Sequence, residues 1–183
     1  MIVTKIEETL IEDLILFTQK AMITSANLGV FKKESQQSVV DALNEIRLNS
    51  FINIQTQEEY DTWFDQQIIN FHQGLLPYYR EDLKIQIHHP YIYSARLFTQ
   101  YMKFFCFRTY LFEYNGSHYL HILHPIISNH FIGAFPNLGI NKVGDIQNRE
   151  QYYGVISYFR YLLGMKICNE NEPLLSLEVA VDY

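Results

Sequence analysis

At 183 residues and a net charge of −6, from 14 Lys and Arg against 20 Asp and Glu, the chain has the size of one domain, 1–183, able to bury a core without metal or disulfide support. No Lys/Arg cluster follows a phosphate backbone, which argues against nucleic acid as a partner. The longest apolar runs fall well short of the roughly 20 residues a membrane span requires. Cys106 and Cys168 sit in the apolar contexts Phe-Cys-Phe and Ile-Cys-Asn, as small buried hydrophobes of a reducing compartment do, so a soluble cytoplasmic protein is expected.

Residues 3–26 repeat Ile6, Leu10, Leu14, Phe17 and Ala21 at helical spacing, with Glu7, Glu8, Glu12 and Asp13 early and Lys20 late, the charge order a helix dipole favours. Acidic residues among the apolar ones argue against a secretory leader. A second helix is predicted over 35–49, with Val39, Ala42, Leu43 and Ile46 on one face. Thr56-Gln57-Glu58-Glu59 has the form of a capping box and opens a helix over 57–73. Its apolar stripe runs through Tyr60, Trp63, Phe64, Ile68 and Phe71, while Asp61, Asp65, Gln66 and Gln73 lie off it. Trp63 reads as a core anchor, and His72 as a partly exposed polar residue near the helix end.

The period then changes. Leu83, Ile85 and Ile87 alternate with Lys84, Gln86 and His88, which predicts a half-buried strand over 83–88. Asn115-Gly116 suits a two-residue turn, and aromatic and β-branched residues crowd both sides of it, so strands 104–114 and 117–124 are expected to form a hairpin. The turn fixes the register: Glu113 faces His118, Phe112 faces Tyr119 and Tyr110 faces His121. One hairpin face would carry Arg108, Tyr110, Phe112, Tyr114, Tyr119 and His121. The competing reading is a continuous helix from Ser94 to Tyr114, with Leu97, Tyr101, Phe104, Phe105, Arg108 and Phe112 three or four apart and Gly116 just beyond its end. A short helix near Ile126–Phe131 and a helix over 147–167 follow, and Leu175, Leu177, Val179, Val181 and Tyr183 alternate in a last predicted strand, 175–183. This order predicts an α+β fold, with an antiparallel or mixed sheet packed against about four main helices.

Four histidines, His118, His121, His124 and His130, fall within a short stretch. On a strand His121 points away from His118 and His124, and those two lie about 20 Å apart, too far to share an ion. No metal site and no cofactor is therefore expected. Glu113 opposite His118, with His121 nearby, is the catalytic candidate, since a carboxylate that orients an imidazole is half of an acid–base pair; a cross-strand polar pair beside a turn is the favoured account of it, because no nucleophile accompanies them. No phosphate loop, nucleophile elbow or activated thiolate accompanies these residues. The binding candidates are Arg108, Tyr110, Phe112, Tyr119 and His121, of the types enriched at interface centres.

The expected function is accordingly a non-catalytic protein-interaction module, an immunity- or antitoxin-like inhibitor or an adaptor. It would bind a protein partner or a second copy through aromatic and acidic surface. The alternative is a small-ligand-binding protein or a His-dependent, metal-assisted enzyme with its site near the 107–124 hairpin.

Overall fold

The computed structural model describes residues 29–44, 46, 48–51, 53–84, 90–112 and 122–164. Its helices are α1 (Gln36–Asn44), α2 (Leu48–Phe51), α3 (Gln57–Leu75), α4 (Glu81–Lys84), α5 (Tyr93–Phe112), α6 (Asn129–Gly133) and α7 (Arg149–Gly164), joined by short 3₁₀ turns. Among the described residues there is no strand and no sheet. The one extended pairing among them is an isolated antiparallel bridge between Phe31 and Tyr79, flanked by Lys32 N–H to Tyr78 C=O at 2.9 Å and Arg80 N–H to Val30 C=O at 3.1 Å.

The protein is therefore helical where it is described, and the α+β expectation is overturned. The decisive element is α5. Residues 104–112, expected as a hairpin strand, continue the helix that begins at Tyr93, as the competing reading had it. Ala95, Phe98, Met102 and Cys106 are all buried, at the three-and-four spacing of one helix face. Aromatic residues favour strands only where they find a pleated surface to cover, and here the surface on offer is α3. Leu83 and Lys84, expected to open a strand, lie in the single turn α4. Residues 122–124, the end of the expected second hairpin strand, have no strand pairing. The expected helix 3–26, the remainder of strands 83–88 and 117–124, the Asn115-Gly116 turn and strand 175–183 lie outside the described residues. The expected helix 35–49 is divided, α1 ending at Asn44 and α2 starting at Leu48.

Helix α3 organises the core. The Thr56 hydroxyl accepts from Glu59 N–H at 3.2 Å while Glu59 Oε2 accepts from Thr56 N–H at 3.0 Å. Burial of Tyr60, Trp63, Phe64, Ile68, Phe71 and Leu75 follows the apolar stripe. Phe98 of α5 stands at the middle of this packing, with ring centroids 5.3 Å from Phe64, 5.6 Å from Trp63 and 5.8 Å from Phe71. Each such ring removed from water contributes about 1.5–3 kcal/mol. Trp63 also donates its indole N–H to Ser50 Oγ at 2.8 Å, which ties α2 to α3. On the other side, Tyr152, Val155, Ile156 and Phe159 of α7 complete the core.

Candidate functional site

The residues that α3 leaves off its apolar stripe are not all solvated. Asp61 and Asp65, one turn apart, face α7, which presents Arg149, Tyr153 and Arg160. Arg160 grips Asp61 with two guanidinium bonds, 2.9 Å to Oδ2 and 2.8 Å to Oδ1. Arg149 Nε donates to Asp65 Oδ2 at 2.6 Å, with its guanidinium 4.5 Å from the Tyr153 ring centre. The Tyr153 hydroxyl lies 3.0 Å from Asp65 Oδ1 and 3.1 Å from the Asp61 carbonyl. The Tyr91 hydroxyl also donates to Asp65 Oδ1.

Into this lattice the irregular segment 123–128 inserts His124, with no exposed surface. Its Nε2 lies 2.9 Å from Asp61 Oδ1 and its Nδ1 3.0 Å from the Tyr152 hydroxyl. Burial alone would raise the Asp61 carboxyl, but the hydrogen bonds from His124 and Arg160, with the guanidinium charge, bring it down to about 2. Asp61 is thus a carboxylate, so Nε2 must carry the proton and donate, and Nδ1 accepts from Tyr152. Burial holds the imidazole below its ordinary value despite the neighbouring carboxylate. Burial likewise pushes the Tyr152 hydroxyl far up and keeps it protonated. Gln57 Nε2 fastens the same segment, 2.7 Å from the Ile122 carbonyl and 3.2 Å from Asp61 Oδ1.

Carboxylate, imidazole and hydroxyl in series are the parts of an acid–base relay. Access decides what they can do. The ring of His124 is enclosed by Tyr60 at 5.0 Å, Phe64 at 4.8 Å, Tyr152 at 5.5 Å and Tyr153 at 5.7 Å, and both of its nitrogens are occupied within the protein. In this arrangement the relay works as a clasp, holding segment 123–128 against α3 and α7.

A second buried chain joins α3 to the start of α5. Ser94 Oγ lies 2.8 Å from His72 Nδ1 and 2.6 Å from the Tyr79 hydroxyl. Ser94 Oγ can both donate and accept, so it bridges the two groups in either His72 tautomer. His72, expected to be partly exposed, is 3 % exposed. Its position follows from the helical turn that already buries Phe71 and Leu75, together with a partner on a helix twenty-two residues further on.

An open concave feature lies on the opposite side of α3. A groove of about 380 Å³ runs between α1 and α3, lined by Ala42, Ile46, Gln66, Gln67, Asn70, Phe71 and Gly74. At Gln66 it meets a shallower depression bordered by Glu58, Glu59, Thr62 and Trp63. Among the described residues no three His, Cys, Asp or Glu side chains are placed to share a metal ion.

No protein-family model, curated protein or solved structure matches this chain. The site must be read from its own geometry. Glu113, His118, Tyr119 and His121, the sequence-derived candidates, lie outside the described residues. Arg108, Tyr110 and Phe112 belong to the last turns of α5, so the hairpin face that was to gather them does not form. What sequence reasoning missed is the Asp61–Arg160 and Asp65–Arg149 pairing. Its signal was present: carboxylates at i and i+4 on one helix, and Arg149, Tyr153 and Arg160 at i, i+4 and i+11 on another, a shared face at 3.6 residues per turn. For His124 no comparable signal exists.

Proposed function

We propose that this chain is a non-catalytic protein-interaction module that receives an apolar, basic-flanked segment of another protein along the α1–α3 groove. The observation that carries the reading is the composition of that groove. Ile46 and Phe71 offer apolar contact, whereas Gln66, Gln67 and Asn70 offer amides, each able both to donate to and accept from a peptide backbone. Glu58 and Glu59 at one end, on a chain of net charge −6, favour a cationic partner and speed its encounter. An inhibitor that neutralises a basic protein is one form of this reading, and an adaptor subunit another. A reducing cytoplasmic setting belongs to it, since the free thiol of Cys106 is buried and held well above its ordinary value by burial. No helix among the described residues is long and apolar enough to cross a membrane.

The test uses the full chain as bait in its native lysate, beside Asn70→Arg in the groove and Tyr161→Ser on exposed α7 surface. A partner held by wild type and Tyr161→Ser, weakened roughly tenfold or more by Asn70→Arg and released by added salt, supports the proposal. Equal retention by both variants would place the interface elsewhere. A chain that stays monomeric and retains nothing removes the reading.

A further inference from the structure

The cluster around His124 is charge-balanced only while that imidazole is neutral. Asp61 and Asp65 supply two negative charges, and Arg160 and Arg149 two positive ones. The other titratable groups facing the ring from α3, α7 and the turn before α5 are the hydroxyls of Tyr60, Tyr152, Tyr153 and Tyr91. Burial keeps all four protonated and uncharged. From α5, Cys106 approaches Tyr60 and is likewise a neutral thiol through burial. A proton arriving at His124 therefore adds a charge with no free counter-ion, because Asp61 is already held by a bidentate guanidinium. Protonation at Nδ1 also turns the Tyr152 hydroxyl from donor to acceptor, so the hydrogen bond that fixes the neutral ring is lost in its present form.

We propose that His124 is an acid-sensitive latch: protonation expels it from the aromatic enclosure, releases segment 122–128 from α3 and α7, and uncovers the faces of Tyr60, Phe64, Tyr152 and Tyr153. The segment is also held by Gln57 Nε2 on the Ile122 carbonyl and by burial of Ile122, Leu123 and Ile127 in the core, ties that do not change with pH, so the pH dependence of its opening comes from His124. This latch is independent of the groove, which lies on the other side of α3.

The direction with pH follows from linkage. The released imidazole takes up a proton near its ordinary value of 6.5, and the latched one only at lower pH. The latch is therefore fully effective above 6.5 and weakens as pH falls below it, with the released population rising about tenfold per pH unit.

Hydrogen exchange of the full-length protein between pH 7.5 and 5, corrected for intrinsic rates, reads this directly. Protection across 122–128 should fall about tenfold per unit below 6.5 while α1 keeps its own. His124→Gln, which preserves an N–H donor but cannot be charged, should flatten that dependence. Tyr152→Phe frees Nδ1 in the closed form, so opening should be easier at pH 7.5 and its pH dependence should level off sooner. If His124→Gln does not fold, ¹⁵N shifts of the wild-type ring decide the matter: a neutral Nε2–H tautomer at pH 7.5 that becomes imidazolium together with the loss of protection supports the latch. An imidazolium already present at pH 7.5 overturns it. So does protection across 122–128 that stays constant to pH 5, or a His124→Gln profile identical to wild type.

Discussion

The two flanks of α3 solve the same problem in opposite ways. Toward α7 the helix presents ionised groups, Asp61 and Asp65, and every one is met by a guanidinium, an imidazole or a phenol. Toward α1 it presents amides, Gln66, Gln67 and Asn70, and the space beside them is an open groove. A charge removed from water needs a fixed partner, so each carboxylate of the charged flank is held in place by side chains of the protein. A neutral amide is satisfied equally by water or by a peptide, so the other flank tolerates an exchange of occupants. The proposed binding uses the second flank, whereas the first sets the position of segment 123–128.

Substitutions should separate the flanks by size of effect. Phe64→Ala on the closed flank should cost most, about 4 kcal/mol in urea unfolding, because the ring is fully buried, stacked on Tyr152 at 5.7 Å and set edge-on to Phe98. A loss under about 1.5 kcal/mol would mean that α7 does not pack there.

Asp61→Ala should follow at about 3 kcal/mol, since it strands the Arg160 guanidinium and the His124 N–H together. The same carboxylate defines an acid limb separate from that of His124. Its folded value of about 2 lies below the ordinary 3.8, so its contribution is complete above 3.8 and disappears as pH falls toward 2. Stability measured against pH should lose this limb in Asp61→Asn; a limb that persists belongs to another group.

Between the two flanks stands the Ser94 chain. Ser94→Ala leaves the Tyr79 hydroxyl and His72 Nδ1 facing each other without the bridging oxygen, at about 1–2 kcal/mol, checked by the shift in denaturation midpoint.

On the open flank, Gln66→Ala and Asn70→Arg should change stability by no more than about 0.5 kcal/mol. A larger loss would show that the groove is part of the packing, which would erase the contrast between the flanks. Unchanged stability also makes loss of a partner in Asn70→Arg interpretable as an interface effect.

The sequence states some of this plainly. The capping box at Thr56, the stripe from Tyr60 to Leu75 and the apolar face of α7 are local signals, written in residue spacing and in side chains that reach their own backbone, and they fix helix position and inward face. The aromatic run of α5 was ambiguous for an equally physical reason. Phe104, Phe105 and their neighbours satisfy both the two-residue and the 3.6-residue period over a short span, and only packing of Phe98, Met102 and Cys106 against the rest of the core resolves it in favour of helix.

The candidate site was less legible. The pairing of Asp61 with Arg160, and of Asp65 with Arg149, joins residues 99 and 84 positions apart, and each reads in isolation as a solvated charge. His124 adds nothing periodic, since its partners come from two different helices. The sequence by itself determined where the capped helix α3 begins, which faces of α3 and α7 turn inward, and the acidic net charge. Only the tertiary structure decided that the aromatic run is a helix, that four charges cancel across α3 and α7, and that one histidine is sealed between them. Spacing encodes the backbone's neighbours along the chain, whereas the neutralisation of a buried charge depends on which distant side chain the fold brings within about 3 Å.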